Sequence, residues 1–234
     1  MQAYNWADER HNAHPTVLTA ANPDCPICTA RPCSHFLMID GRDYWRCRHC
    51  ESTFLDPSQL PIQSVERAEY LLHRNEVDDP VYRRFLGRLA SPLLARLPAG
   101  SSGLDYGCGP GPALAAMLAE AGHRVAVYDP LFFDDPTVFN DRYDFITCTE
   151  VVEHFHRPGV EFARLDSLLK PGGILAVMTN FQTDDAAFAD WHYRRDPTHV
   201  VFYRETTLRT IAGHHDWRCE IPCANVALLE KPSR

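Results

Sequence analysis

The chain has 234 residues, with 23 Lys or Arg against 31 Asp or Glu and a formal net charge of −8. Its 45% hydrophobic content, without an apolar run near the roughly 18 residues a membrane helix needs, suits one large domain with a small appendage and no membrane partner. Residues 1–98 hold 11 Lys or Arg and 12 Asp or Glu, residues 99–234 hold 12 and 19, and neither part has the basic footprint of a nucleic-acid binder.

Residues 1–22 read as a flexible N-terminus. The opening "MQAYNWADERHNAHP" is polar and lacks the apolar core of a signal peptide, which predicts a cytoplasmic protein. Residues 23–56 carry two Cys-x-x-Cys pairs, Cys25/Cys28 and Cys47/Cys50, with eighteen residues between them. That spacing lies in the zinc-ribbon window, and two knuckles presenting two thiolates each predict a closed tetrahedral zinc site with a structural role. Cys33, His35 and His49 fit the knuckles less well. Between the pairs, "HFLMID", a turn and "YWRC" predict a hairpin. The other cysteines, Cys33, Cys108, Cys148, Cys219 and Cys223, are expected to be buried as small hydrophobes.

Residues 57–98 form a helical linker. "SVERAEYLLHRN" and "PVYRRFLGRLASPLLARLP" have helical spacing, with Val81, Phe85, Leu86 and Leu89 on one stripe and Pro92 expected to kink or divide the second helix. The linker and the ribbon are expected to wall the substrate cleft, with Tyr70 and His73 facing it. Residues 99–234 switch to alternating strands and helices: "GLDYG", "PALAAMLAEAG", "RVAVYD", "YDFITCTE", "GVEFARLDSLLKPGG", "ILAVMTN" and "ETTLRTIAGHH". In the fifth segment Phe162, Leu165 and Leu169 share a face. The pattern predicts a parallel sheet covered on both faces, and "WRCEIPC" with "VALLEK" an antiparallel edge hairpin.

"LDYGCGPG" places Asp105, Gly107, Gly109 and Gly111 between a strand and a helix, where glycines let a ligand approach the backbone. The next strand ends in Asp129, an acid suited to ribose hydroxyls. "LDYGCGPGPALAAMLAEAGHRVAVYDP", "YDFITCTEVVEHFHRPG" and "LLKPGGILAVMTN" resemble the class I S-adenosylmethionine-dependent methyltransferases in the same order. The resemblance implies an α/β, Rossmann-like sheet and S-adenosylmethionine as cofactor. It puts Gly107, Cys108, Gly109 and Gly111 along the amino-acid part, Asp105 beneath its ammonium, Asp129 and Pro130 at the ribose, and Thr149 and Glu150 lining the cleft. The thirteen residues between Asp129 and Tyr143 are too few for the usual helix and third strand, so that strand is expected to be reduced or missing. Leu131, Phe132 and Phe133 are candidates for an adenine wall or for cover over the sheet edge.

"TEVVEHFHRP" would bring Glu150, Glu153 and His154 to one face if helical, at i, i+3 and i+4. Carboxylates and an imidazole so close favour a divalent cation between them, with His199 of "DPTHVVFY" as a fourth ligand. The pattern resembles metal-using quinone-biosynthesis and small-RNA 2′-O-methyltransferases. Without a metal, His154, His156, His192 or His199 is the general base. The leading reading is O-methylation of a small molecule such as a sugar, quinol or natural product, with Glu153, His154 and His199 at the chemistry. The alternatives are an RNA methyltransferase that reads RNA with the ribbon, and a non-enzymatic cofactor-binding scaffold whose ribbon docks a partner protein. Oligomeric state is not legible.

Overall fold

Two sheets of unequal size organise the chain. The structure, a computed structural model, describes residues 22–72 and 76–233. The N-terminal segment expected to be flexible, apart from Asn22, and His73 lie outside the described residues. The small sheet begins with β1 (Ser34–Ile39) and β2 (Arg42–Arg46). Asp40 (φ 53°) and Gly41 (φ 75°) make the tight turn between them, a conformation suited to the twist of a two-residue hairpin. β3 (Thr53–Leu55) pairs with β2.

A 3-10 turn over Pro57–Gln59 leads to α1 (Gln63–Tyr70) and α2 (Pro80–Leu94). Asp79 caps α2 by accepting from the Val81 N–H at 2.8 Å. Pro92 does not divide this helix, because it falls in the last turn. There it leaves the Arg88 carbonyl without its helical donor, and Cys223 Sγ approaches that oxygen at 3.7 Å.

The large sheet follows, with β4 (Ser102–Tyr106), α3 (Ala113–Glu120), β5 (Arg124–Tyr128), β6 (Tyr143–Thr149), α4 (Pro158–Leu168) and β7 (Leu169–Met178). After α5 (His192–Arg195) and β8 (Val201–Phe202) come α6 (Glu205–His214), β9 (Arg218–Cys223) and β10 (Val226–Glu230). The order is β5-β4-β6-β7-β10-β9. The first four strands are parallel, and β10 runs antiparallel to both β7 and β9. Leu169, expected on the helix face of Phe162 and Leu165, instead opens β7 and pairs with Tyr143.

The third strand is missing, as its short segment predicted. Between β5 and β6 the described chain makes one bridge, Asp129 to Phe133, and a 3-10 turn over Pro136–Asn140. Phe139 of that turn sets its ring 4.7 Å from Tyr128 and covers part of the exposed edge.

Apolar residues fill both faces of the large sheet. Leu86, Leu89 and Leu93 of α2 pack with Leu114, Phe145, Ala176 and Leu228 on one side. On the other side Leu104, Ile146, Phe162 and Leu208 share a core with Tyr44, Phe54 and Leu55 of the small sheet. The small sheet is completed by β8, in the order β1-β2-β3-β8, so a strand from the C-terminal half closes the ribbon. Cys33, Cys108 and Cys148 are buried, whereas Cys219 is half-buried and Cys223 is exposed on the edge strand β9. Among the described residues no helix is long and apolar enough to cross a membrane.

Candidate active site

A cavity of about 800 Å³ opens at the carboxyl ends of β4, β5, β6 and β7, within the usual size of a small-molecule site. The loop after β4 forms its floor. Gly107 has φ +79°, and a Cβ there would come 2.5 Å from Val151 Cγ2, so only glycine lets this loop lie on the β6 loop. The N–H groups of Gly107 and Cys108 donate to the Tyr128 carbonyl at 2.8 and 3.2 Å. The Gly109 N–H donates to Asp129 Oδ2 at 3.0 Å. Leu131 and Phe132 donate their N–H groups to Oδ1 at 2.9 and 3.2 Å. Asp129 therefore ties two loops together at the rim of the cavity.

Gly107, Cys108, Gly109, Asp129, Pro130, Thr149 and Glu150 all line the cavity, as do Leu131 and Phe132. Phe133 bridges back to Asp129 instead. Asp105 and Gly111 stand behind the wall. Strand alternation turns Asp105 away from the face that Tyr106 presents. Its Oδ1 accepts from Thr147 Oγ1 at 2.7 Å, and burial raises its carboxyl to about 6. The Gly111 carbonyl accepts from the Ala113 N–H at 2.7 Å and starts α3.

The opposite wall is built from three loops. Glu150, at the tip of β6, has φ +52°, which lifts it out of any helix, and only Val152–His154 form a 3-10 turn. The expected single face of Glu150, Glu153 and His154 therefore does not form. Glu150, His154 and His199 line the cavity while Glu153 lies buried behind it, and burial raises the Glu150 carboxyl to about 7. Glu153, His154 and His199 converge, with one donor atom from each lying within 4.8 Å of the others. Their two imidazole rings are 4.7 Å apart.

The hydrogen bonds set the orientation of this trio. His199 Nδ1 faces the Tyr193 carbonyl at 2.7 Å, and His154 Nδ1 faces the Thr198 carbonyl at 3.1 Å. An Nδ1–H given to a carbonyl makes Nε2 the ligating nitrogen, the usual arrangement of a metal-holding histidine. His199 Nε2 stands 4.0 Å from Glu153 Oε1 and 3.7 Å from Asp196 Oδ2. The Tyr193 hydroxyl donates to Glu153 Oε1, while Glu153 Oε2 is buried without a partner. Burial, then the nearby Glu150, raises the Glu153 carboxyl to about 7. A buried carboxylate oxygen beside two oriented imidazoles fits a divalent cation.

His156 and His192 also line the cavity, and Tyr70 sets its ring 5.2 Å from His154. His156 Nε2 lies 2.8 Å from Glu66 Oε1, which ties α1 over the opening. Tyr193 and Asp196 were missed from the sequence. The only signal was their place in the same "HYRRDPTH" segment as His199.

The four knuckle cysteines form a second cluster away from the cavity. Cys25 Sγ is 3.5 Å from Cys50 Sγ, and Cys28 Sγ is 3.5 Å from Cys47 Sγ. A tetrahedron with zinc–sulfur bonds of about 2.3 Å has edges of about 3.8 Å, so the sulfurs already stand near ligand spacing. N–H groups of Cys28, His49 and Cys50 point at the sulfurs of Cys25 and Cys47 at 3.4–3.5 Å. Cys33, His35 and His49 are not in the cluster; His35 instead bonds Asp43 at 2.9 Å.

A parallel sheet whose first strand enters a glycine loop, with an acid closing the second strand, is the nucleotide-binding arrangement that class I methyltransferases share with dinucleotide-binding enzymes. A family profile described as "Methyltransferase domain" matches residues 79–220, more than half of the chain, beginning at α2. The chain belongs to that methyltransferase family. The chain is similar to several solved structures. The 1,6-didemethyltoxoflavin-N1-methyltransferase of Burkholderia thailandensis, crystallised with 1,6-didemethyltoxoflavin and S-adenosylhomocysteine, is 18% identical with a TM-score of 0.52, over 85% of this chain and 99% of that one. An O-methyltransferase family protein from the same organism is 17% identical with a TM-score of 0.46, over 65% and 56% of the two chains. A methyltransferase of Methanosarcina mazei is 15% identical with a TM-score of 0.43, over 61% and 98%. No curated protein matches the sequence.

Proposed function

We propose that this methyltransferase acts on a hydroxyl of a small molecule, with Glu153, His154 and His199 holding a divalent cation on the acceptor side. The observation that carries this reading is the trio itself: three donor atoms within 4.8 Å, with both Nδ1 atoms turned to carbonyls and Glu153 Oε2 buried unpartnered. A bound divalent cation lowers the pKa of an oxygen it touches. The chain's own residues do the rest. Gly107, Gly109 and Asp129 fix the cofactor, and Glu150, His154 and Asp196 border the acceptor space. Tyr82, Phe85 and Phe155 give apolar walls that keep water from the methyl group.

Small acceptors suit a cavity large enough for the cofactor beside a compact molecule, in a chain with a net charge of −8. The four-cysteine cluster takes zinc in this reading, with no open position for chemistry. The test is transfer of a tritiated methyl into fractionated cell extract before and after treatment with a chelator. Label should enter the small-molecule fraction, fall on chelation and return with magnesium, manganese or zinc. Undiminished labelling after chelation overturns the cation, and label entering RNA overturns the acceptor class.

A further inference from the structure

The loop from Asp196 to Val200, between α5 and β8, carries His199 and is gripped from two sides. From the active site, His154 Nδ1 meets the Thr198 carbonyl at 3.1 Å, and the Val200 N–H donates to the Glu153 carbonyl at 2.9 Å. From the ribbon, Arg42 Nη2 of β2 donates to the Pro197 carbonyl at 2.7 Å. The Leu55 N–H of β3 donates to the Val200 carbonyl at 2.8 Å. Thus the carbonyls of Pro197 and Val200 belong to the ribbon, and the groups between them belong to the active site.

β8 has two residues, and its one ladder is with β3, through Thr53–Phe202 and Phe54–Val201. A strand that short does not hold itself in place. At the other end of the segment, buried Arg194 of α5 reaches Asp40 in the β1–β2 turn at 3.2 Å. The cofactor side has no such dependence. Among the described residues, the hydrogen bonds of the glycine loop and of Asp129 come from the loop itself, from Ala113 at the start of α3 and from residues 128–133.

We infer that the cysteine ribbon is a positioning device for the acceptor half of the active site. By holding the carbonyls of Pro197 and Val200 it sets where His199 stands opposite Glu153 and His154. Its four-cysteine cluster keeps β2 and β3 in register for that task. Arg42 is the positioning residue that can be removed without touching a zinc ligand or the cavity. The inference rests on the reading that His199 serves the acceptor.

Arg42→Leu separates this role from general support of the fold, and Cys47→Ser removes the ribbon's metal as a second variant. Three quantities are measured on the full chain: S-adenosylhomocysteine affinity by calorimetry, manganese affinity by titration, and amide exchange of residues 197–203. For Arg42→Leu we expect one zinc per chain, S-adenosylhomocysteine affinity within twofold, exchange of 197–203 at least about tenfold faster, and manganese bound about tenfold more weakly. Cys47→Ser should show the same changes, larger. Unchanged exchange of 197–203 in Arg42→Leu overturns the inference. So does an equal loss of cofactor affinity, which would make the ribbon a support for the whole fold. If the wild type binds no manganese, the divalent reading fails, while the exchange data still decide the positioning role.

Discussion

The two halves of the cleft are built by different means. The cofactor half is nearly one stretch of chain, residues 105–132, folded on the ends of β4 and β5 and tied by Asp129 to its own loop. The acceptor half is gathered from α1, the β6 loop, α5 and the His199 loop, and the ribbon clamps it from outside. The first kind of site tolerates distant change. The second inherits the stability of every element that holds it.

Loss of the ribbon metal should give the largest effect. In Cys47→Ser we expect zinc to fall below one per chain and stability to drop by about 4 kcal/mol, because zinc binding is folding energy for so small a sheet. For a chain of this length that is a fall of about 10 °C in Tm, read by calorimetry beside metal analysis. An unchanged Tm with zinc gone would show that the shared core alone holds the ribbon.

His199→Ala tests the acceptor half directly. Methyl transfer should fall about 100-fold, or roughly 3 kcal/mol in the barrier, while S-adenosylhomocysteine affinity stays within twofold. Full turnover would remove His199 from the chemistry. Asp129→Ala is its mirror image: cofactor affinity should weaken by about 1–3 kcal/mol, the scale of hydrogen bonds to a charged group, with manganese affinity unchanged. Calorimetry that finds both affinities altered would break the division between the halves.

The last expected effect, seen only as a pH dependence of stability, comes from Asp105, one layer behind the glycine loop. Burial raises its carboxyl from 3.8 to about 6 in the folded chain. Between those values the folded state binds more protons than the unfolded one, so stability falls as pH rises from about 4 to about 6 and then levels. Asp105→Asn removes this loss. The ligand-free variant should therefore gain about 3 kcal/mol over wild type at pH 7 and less than about 1 kcal/mol at pH 4, measured as the difference in Tm. An equal gap at both pH values would remove Asp105 as its source.

What could be read from the sequence follows the same division. The glycine loop, Asp129 and the strands around them were legible because strand, turn and helix lie within thirty residues and each carries its own periodicity. The missing third strand was legible as a segment too short to hold it. The cysteine knuckles were legible because each pair is local and the spacing between pairs meets a geometric need of the metal. Asp105 and Gly111 were in the right loop, but the alternation of β4 decided which side chains face the cavity.

The sequence by itself determined the class: a parallel sheet, a glycine loop, an acid at the end of the second strand and two cysteine knuckles, all set by chemistry within short segments. The tertiary structure decided the acceptor side. Left-handed backbone at Glu150 broke the helical face that spacing alone suggested and left Glu153, His154 and His199 as the converging group. The pairing of β3 with β8 joins residues about 150 positions apart through a two-residue strand. A strand so short has no periodicity of its own, so only the packed core that Tyr44, Phe54 and Phe202 share could select its partner.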